Sequence, residues 1–184
     1  MLTIKVLAFI IITLALAVIL RKSLRDVHTH GFFRFFAWES IILLFLMNID
    51  FWFESPFSWY QMISWILLIS SGIYVIQGTR LLYTKGRPDA TRSDENLYTI
   101  EKTTKLVSEG IYNYIRHPLY ASLLFLTWGI YFKYLSVVGT ILASAASVSL
   151  ILTAKLEEKE NCVYFGEGYT TYMQKTKMFI PFLW

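Results

Sequence analysis

The sequence predicts an all-α, polytopic membrane protein. It has five transmembrane helices, the last two a helical hairpin, plus a cytoplasmic C-terminal helix. Three observations lead there. The 184 residues are 55% apolar and only 16% charged, against about a quarter charged in soluble domains. Several apolar runs reach or approach the roughly 20 residues that cross a bilayer. The basic residues cluster in two loops beside those runs, as topology signals and headgroup contacts do. The net charge of +4 therefore carries no nucleic-acid signal. The length suits one membrane domain over residues 1–184.

The first span covers about residues 2–20, interrupted by Lys5 alone. A signal peptide is the competing reading, because Ala15-Leu16-Ala17 imitates a cleavage site. Apolar residues run past it, and Arg21, Lys22 and Arg25 follow the run instead of preceding it, which favours a retained span. The second span, about 32–53, contains Arg34, Glu39, Asn48 and Asp50. Ionisable groups at depth face a bundle interior or a wet cavity. Glu39 is the deep one; Asp50 and Glu54 read as groups at the far interface. Ser55-Pro56 turns the chain. A third span follows over about 57–82, with Trp59, Tyr60 and Trp65 as interfacial anchors.

Residues 83–118 form a polar loop. TKGRPDATRSDEN has the composition of a solvated segment, and IEKTTKLVSEGIYNYIRH regains apolar residues that fold back on the membrane face. The fourth span is short, about 119–135. Ser136 and Gly139 make a tight hairpin into the fifth, about 137–154. Gly139, Ala143 and Ser147 recur every fourth residue, a small-residue stripe that lets two helices approach closely. The tail, 155–184, begins as a continuation of the fifth helix and ends in FIPFLW, which docks at the interface. Cys162 is alone, so there is no disulfide framework, and no internal repeat is visible.

Arg21, Lys22, Arg25 and Arg34 follow span one. Arg80, Lys85, Arg87, Arg92, Lys102, Lys105 and Arg116 follow span three. The other connections are nearly free of cations, apart from Lys133. The positive-inside rule then puts the N-terminus outside and the long loop and tail in the cytoplasm.

On that side lie the unusual polar residues. Pro118 fits the first turn of the fourth helix, where its missing N–H costs nothing. The free N–H groups of that turn, with Arg116 and His117 beside them, suit an anionic group. Glu157, Glu160, Asn161 and Tyr164 share one face of the tail helix at three- and four-residue spacing, and Glu157 suits an ammonium or hydroxyl. Tyr112, Tyr114 and Tyr120 are placed to pack on a ring or a sulfonium. A bland reading competes: headgroup contacts for Arg-His, and a solvated face for the Glu-Glu-Lys-Glu run.

Two motifs decide between them: LV-x2-GIY-x3-RHP-x-Y over 106–120, and Glu-Glu-x6-FG-x2-Y-x2-Y over 157–172. With the hairpin between them they resemble the isoprenylcysteine carboxyl methyltransferase family and its wider group, which includes phospholipid N-methyltransferases. The resemblance covers about 97–184; the earlier spans match in number and hydropathy only. It implies a pocket for S-adenosylmethionine closed over by the tail. Carried over residue by residue, the cofactor shell is Thr104, Lys105, Leu106, Val107, Tyr112, His117, Pro118, Leu119, Tyr120 and Glu157. Glu157 and Arg116 are the catalytic candidates, and no metal is expected. The resemblance also implies an arginine four residues before the Glu-Glu pair in members that methylate a prenylcysteine carboxylate. Thr153 stands there, with Lys155 the nearest cation, which turns the expectation from a carboxylate acceptor towards an amine-bearing lipid. The expected partners are S-adenosylmethionine, a lipophilic acceptor and membrane lipids, with no obligate protein partner. The rivals are an NADPH-dependent reductase of the sterol-reductase type and a non-catalytic binding protein of the same fold.

Overall fold

A computed structural model describes residues 2–89 and 102–182. The solvated TRSDEN stretch with Arg92, and Leu183 and Trp184 of the FIPFLW terminus, lie outside the described residues. Among the described residues six α-helices and no strand are present: α1 (Leu2–Ile19), α2 (His30–Asn48), α3 (Trp59–Lys85), α4 (Pro118–Tyr131), α5 (Val137–Phe165) and α6 (Glu167–Lys175). Helices α1, α2, α3 and α5 are long and apolar enough to cross a membrane. α4 is apolar but has 14 residues, about 21 Å of rise. The chain is a multi-pass membrane protein.

The long helices alternate in direction. Lys5 near the start of α1 pairs with Asp50 just beyond α2, at 2.6 Å. His30 at the start of α2 reaches Glu160 near the end of α5, also at 2.6 Å. Pro118 and Leu119 at the start of α4 lie against Gly78, late in α3. One end of the bundle therefore gathers the 85–117 loop, the start of α2 and the tail; this is the site end. α5 carries its apolar span straight into the polar tail as one helix, as expected.

The closest packing pairs α2 with α5 and α3 with α4, and the α4–α5 hairpin joins the two pairs. The small-residue stripe, expected to let two helices approach closely, thus serves α2 as well as α4. Ala143 and Ala146 are fully buried against Ile41 and Leu44 of α2 as well as Ile130 of α4. A methyl on Gly139 would meet Tyr131 of α4 at 3.3 Å and Leu44 of α2 at 3.5 Å. Ser147, farther along the stripe, accepts a hydrogen bond from Trp128 of α4 at 3.2 Å.

α2 stops at Asn48, followed by a short 3₁₀ turn, earlier than the expected 53. The Asn48 amide turns inward and donates to Ile130 O at 2.9 Å. α4 likewise ends at Tyr131, before the expected 135, because Lys133 also turns inward. Its ammonium donates to Gln61 Oε1 at 3.0 Å and lies 3.5 Å from the centre of the Trp65 ring. Gln61 in turn donates to Lys133 O at 3.2 Å. Trp65 is thus a cation partner inside the bundle, whereas Trp59 stays exposed. Glu39 accepts from Thr13 Oγ1 of α1 at 2.7 Å, so it faces α1 instead of a cavity. α1 has no buried residue and is held to α2 by such polar contacts.

The α3–α4 seam depends on one glycine. Ser64 Oγ donates to Gly129 O at 2.7 Å, and a methyl on Gly129 would lie 2.9 Å from the Leu68 side chain and 3.3 Å from its backbone nitrogen. Gly129→Val is expected to cost about 1–3 kcal/mol through overpacking. Gly72→Ala, which meets nothing within 4 Å, is expected to stay within about 1 kcal/mol of the wild type, given helix propensity alone. Thermal unfolding of both variants in the same detergent checks the contrast.

Candidate active site

The floor of the site is the start of α4. Pro118 occupies the first helical turn and His117 precedes it. Upstream, residues 114–117 lie beside 177–178, bridged at Ile115 and Lys177: Lys177 N donates to Tyr114 O at 2.9 Å, Arg116 N to Lys177 O at 2.8 Å and His117 N to Met178 O at 3.1 Å. These bonds satisfy backbone groups that would otherwise be orphaned at a buried turn. Gly110 and Gly166 have φ of +57° and +59°, a region glycine enters without a Cβ clash. Gly166 ends α5 and lets α6 fold back, so that Tyr172 Oη donates to Tyr112 O at 2.6 Å. The tail closes over the loop, as the resemblance implied.

The acidic run of α5 forms the opposite wall. Successive residues of a helix point about 100° apart, so neighbouring glutamates face different elements. Glu158 receives Arg116 Nε at 2.6 Å, both side chains 9% exposed, and lies 3.3 Å from His117 Nε2. Glu157 accepts from Tyr120 Oη at 2.5 Å and sits 3.9 Å from His117 Nδ1. Glu160 meets the fully buried His30 of α2. Lys159 alone of this run is exposed. The run is no solvated face.

Between floor and wall lies a cavity of about 70 Å³, set in a hollow of about 600 Å³ that opens to solvent. Leu106, Val107, Tyr112, His117, Pro118, Leu119, Tyr120 and Glu157 of the expected cofactor shell line it, as does Arg116. Thr104 and Lys105 are not among the lining residues. Both N–H groups bond to Gly86 O, at 3.0 and 3.1 Å, and both residues are exposed; the neighbouring Thr103 lines the wall instead. Arg116 gives its donors to Glu158, to Met173 O at 3.3 Å and to Thr176 O. Glu160 and Tyr164 are not among the lining residues, and Tyr114 is half exposed beside Phe182. Thr153, at the position where an arginine was looked for, is fully buried, and its hydroxyl bonds back to Ser149 O at 2.8 Å. Lys155 is exposed.

Asn161, expected on the Glu157 face, lines the wall; so do Phe165, Tyr169 and Tyr172 of the second motif, which were given no role, and Leu82 and Thr103, which sequence reasoning missed. Phe165 follows Glu157 at eight residues, a one-face signal that was available. Cys162, by contrast, packs its sulfur 3.7 Å from that of Met173.

Burial pushes the Tyr169 phenol well above its ordinary value, and the nearby Glu157 carboxylate pushes it further. Burial does the same to Tyr172, partly offset by Arg116. Each native phenol keeps its proton where the unfolded chain has lost it, so its contribution is full below pH about 10 and falls as pH rises beyond that. In thermal unfolding at increasing pH, the wild type is expected to lose stability more steeply above that point than a Tyr169→Phe, Tyr172→Phe variant.

Comparisons with known proteins identify the family. Residues 59–164, more than half of the chain, match the family model of phospholipid methyltransferases. The match takes in α3, α4 and most of α5; it leaves out α2 and α6. The chain is also 30% identical over 79 residues to a methanethiol S-methyltransferase from Crocosphaera subtropica, a stretch that is 43% of this chain and 30% of that protein. The chain thus spans under a third of that relative's length. No solved structure matches. The resemblance read from the two motifs holds at the level of membrane methyltransferases; the isoprenylcysteine subtype is not what the comparisons return. The chain belongs to the phospholipid methyltransferase family.

Proposed function

We propose that this protein transfers a methyl group from S-adenosylmethionine to a lipophilic or membrane-embedded acceptor, at the cytoplasmic end of the bundle. One observation carries the reading: Arg116-His117-Pro118 and Glu157, far apart in the chain, line a single cavity, with Glu158 bonded to Arg116 behind it. The positive-inside distribution supports a cytoplasmic placement of that end. Membership of a methyltransferase family favours methyl transfer over NADPH-dependent reduction.

The wall chemistry suits the cofactor. The faces of Tyr112 and Tyr120 and the Glu157 carboxylate offer partners for a sulfonium. The first turn of α4 offers N–H groups for a carboxylate, and Leu82, Leu106, Val107 and Phe165 offer an apolar seat for a ring. S-adenosylmethionine would bring a methyl group already activated on sulfur. What remains for the protein is alignment. Tyr120 orients Glu157 by its hydrogen bond. Arg116, engaged by Glu158 and two carbonyls, positions the wall.

The acceptor class follows from the missing cation. Neither Thr153 nor Lys155 presents a positive charge where a carboxylate acceptor would need one. An amine or thiol must shed a proton as the new bond forms, and the Glu157 carboxylate can take it. The methanethiol S-methyltransferase relative is named for a thiol acceptor, which fits that class.

Calorimetry on detergent-solubilised protein tests cofactor use. S-adenosylhomocysteine is expected to bind, with affinity at least about tenfold weaker in His117→Ala, or roughly 1.4 kcal/mol. Glu157→Gln is expected to keep that binding and to lower transfer of a radiolabelled methyl into a membrane lipid extract by about a hundredfold. Binding of NADPH instead would favour the reductase reading, and binding of neither ligand the non-catalytic one.

A further inference from the structure

Helix α2 lies outside the stretch matched by the family model, yet its first turns pack on the active-site wall. His30 and Arg34 are 0% and 1% exposed, in a helix otherwise mostly apolar. Ionisable side chains at this depth are costly and tend to mark function. The α2–α5 register locates Arg34. Ala37 shares a core cluster with Leu150 and Ala154, and His30 binds Glu160 at 2.6 Å. The helices are antiparallel, so Arg34, between Ala37 and His30, falls opposite the point between Ala154 and Glu160. That point is Glu157. Its carboxylate interacts electrostatically with His117, with His30 and, less strongly, with Arg34, and Tyr120 bonds to it.

The other carboxylates of the run are committed elsewhere. Glu158 is turned towards Arg116 and His117, and Glu160 towards His30. Glu157 is the carboxylate that both lines the cavity and faces α2.

We propose that Arg34 is a positioning residue for methyl transfer: from α2 it holds the Glu157 carboxylate in place at the cavity wall. The inference rests on the reading that Glu157 acts in the transfer. Arg34 touches neither cofactor nor acceptor; it acts through Glu157. A guanidinium on a neighbouring helix favours the ionised carboxylate and fixes its orientation, so a proton from an incoming amine or thiol meets an acceptor already aimed at it. His30 has a different part, clamping α2 to the end of α5 through Glu160.

The test compares Arg34→Gln, which removes the charge, with Arg34→Lys, which keeps it, and with Glu157→Gln alone and combined with each. In Arg34→Gln, kcat is expected to fall by roughly tenfold, with S-adenosylhomocysteine affinity unchanged by calorimetry. Arg34→Lys is expected to recover most of that loss. In the Glu157→Gln background the Arg34→Gln change is expected to cost almost nothing more, the non-additivity of residues that act as a pair. His30→Gln is expected to lower thermal stability by releasing Glu160 from α2. If Glu157→Gln is impaired but Arg34→Gln is not, or if the two losses multiply, the inference is wrong and the proposed function stands. If Glu157→Gln leaves turnover intact, the role of Glu157 falls and Arg34 with it. Should Arg34→Gln not yield folded protein, Arg34→Lys carries the test: its smaller loss must vanish in the Glu157→Gln background.

Discussion

The ion pair between Arg116 and Glu158 is where the structure is tied together. Four segments meet there: the end of the long loop, the start of α4, the polar half of α5 and the turn after α6. From the end of the loop the guanidinium reaches α5 through Glu158, α6 through the Met173 carbonyl and the turn after it through the Thr176 carbonyl. At 9% exposure of both side chains, removing one partner would strand a buried charge, at a cost of about 3–5 kcal/mol. An apolar pair of similar volume would be no less stable by the same reasoning. What it would lose is geometry, because the pair sets how α4 begins relative to α5. His117 and Tyr120 take their places against Glu158 and Glu157 as a result.

The two ends of the bundle solve the same problem in different ways. Helices in lipid gain little from the hydrophobic effect, so close packing and polar contacts must hold them. At the far end those contacts are closed on themselves: Lys133, Gln61, Asn48 and Ser64 bond to carbonyls or to one another, with Trp65 over the ammonium. At the site end the polar groups leave a hollow between them. Lys133 looks in the sequence like an exception to the positive-inside rule. Its charge is buried among aromatic rings in the bundle, so it reads as part of that lock.

Much of this was legible in the sequence. Hydropathy and the proline at 118 placed the helices to within a few residues, and the two motifs placed both halves of the cavity wall. Helix ends were misjudged where a polar side chain turned inward, as Asn48 and Lys133 do, because periodicity does not report such a turn. Thr104 and Lys105 were expected at the wall and Thr103 was not. One residue decides which side of an extended segment faces the cavity, and only the bonds to Gly86 O settle it. The Glu-Glu-Lys-Glu run resembled a solvated face because its partners, Arg116, Tyr120 and His30, come from three other places in the chain. Arg34 stood out only as an ionisable group within the second span, and His30 not at all. Their meaning comes from the register between α2 and α5.

The central claim is that donor and acceptor meet in the hollow between the Arg116-His117-Pro118 turn and the Glu157-Glu158 face. A structure determined with S-adenosylhomocysteine bound tests it most directly. The expected result is ligand density bounded by Leu106, Tyr112, His117 and Tyr169, with its sulfur towards Glu157 and the membrane. Density lying elsewhere on the protein, with this hollow holding only solvent, would contradict it.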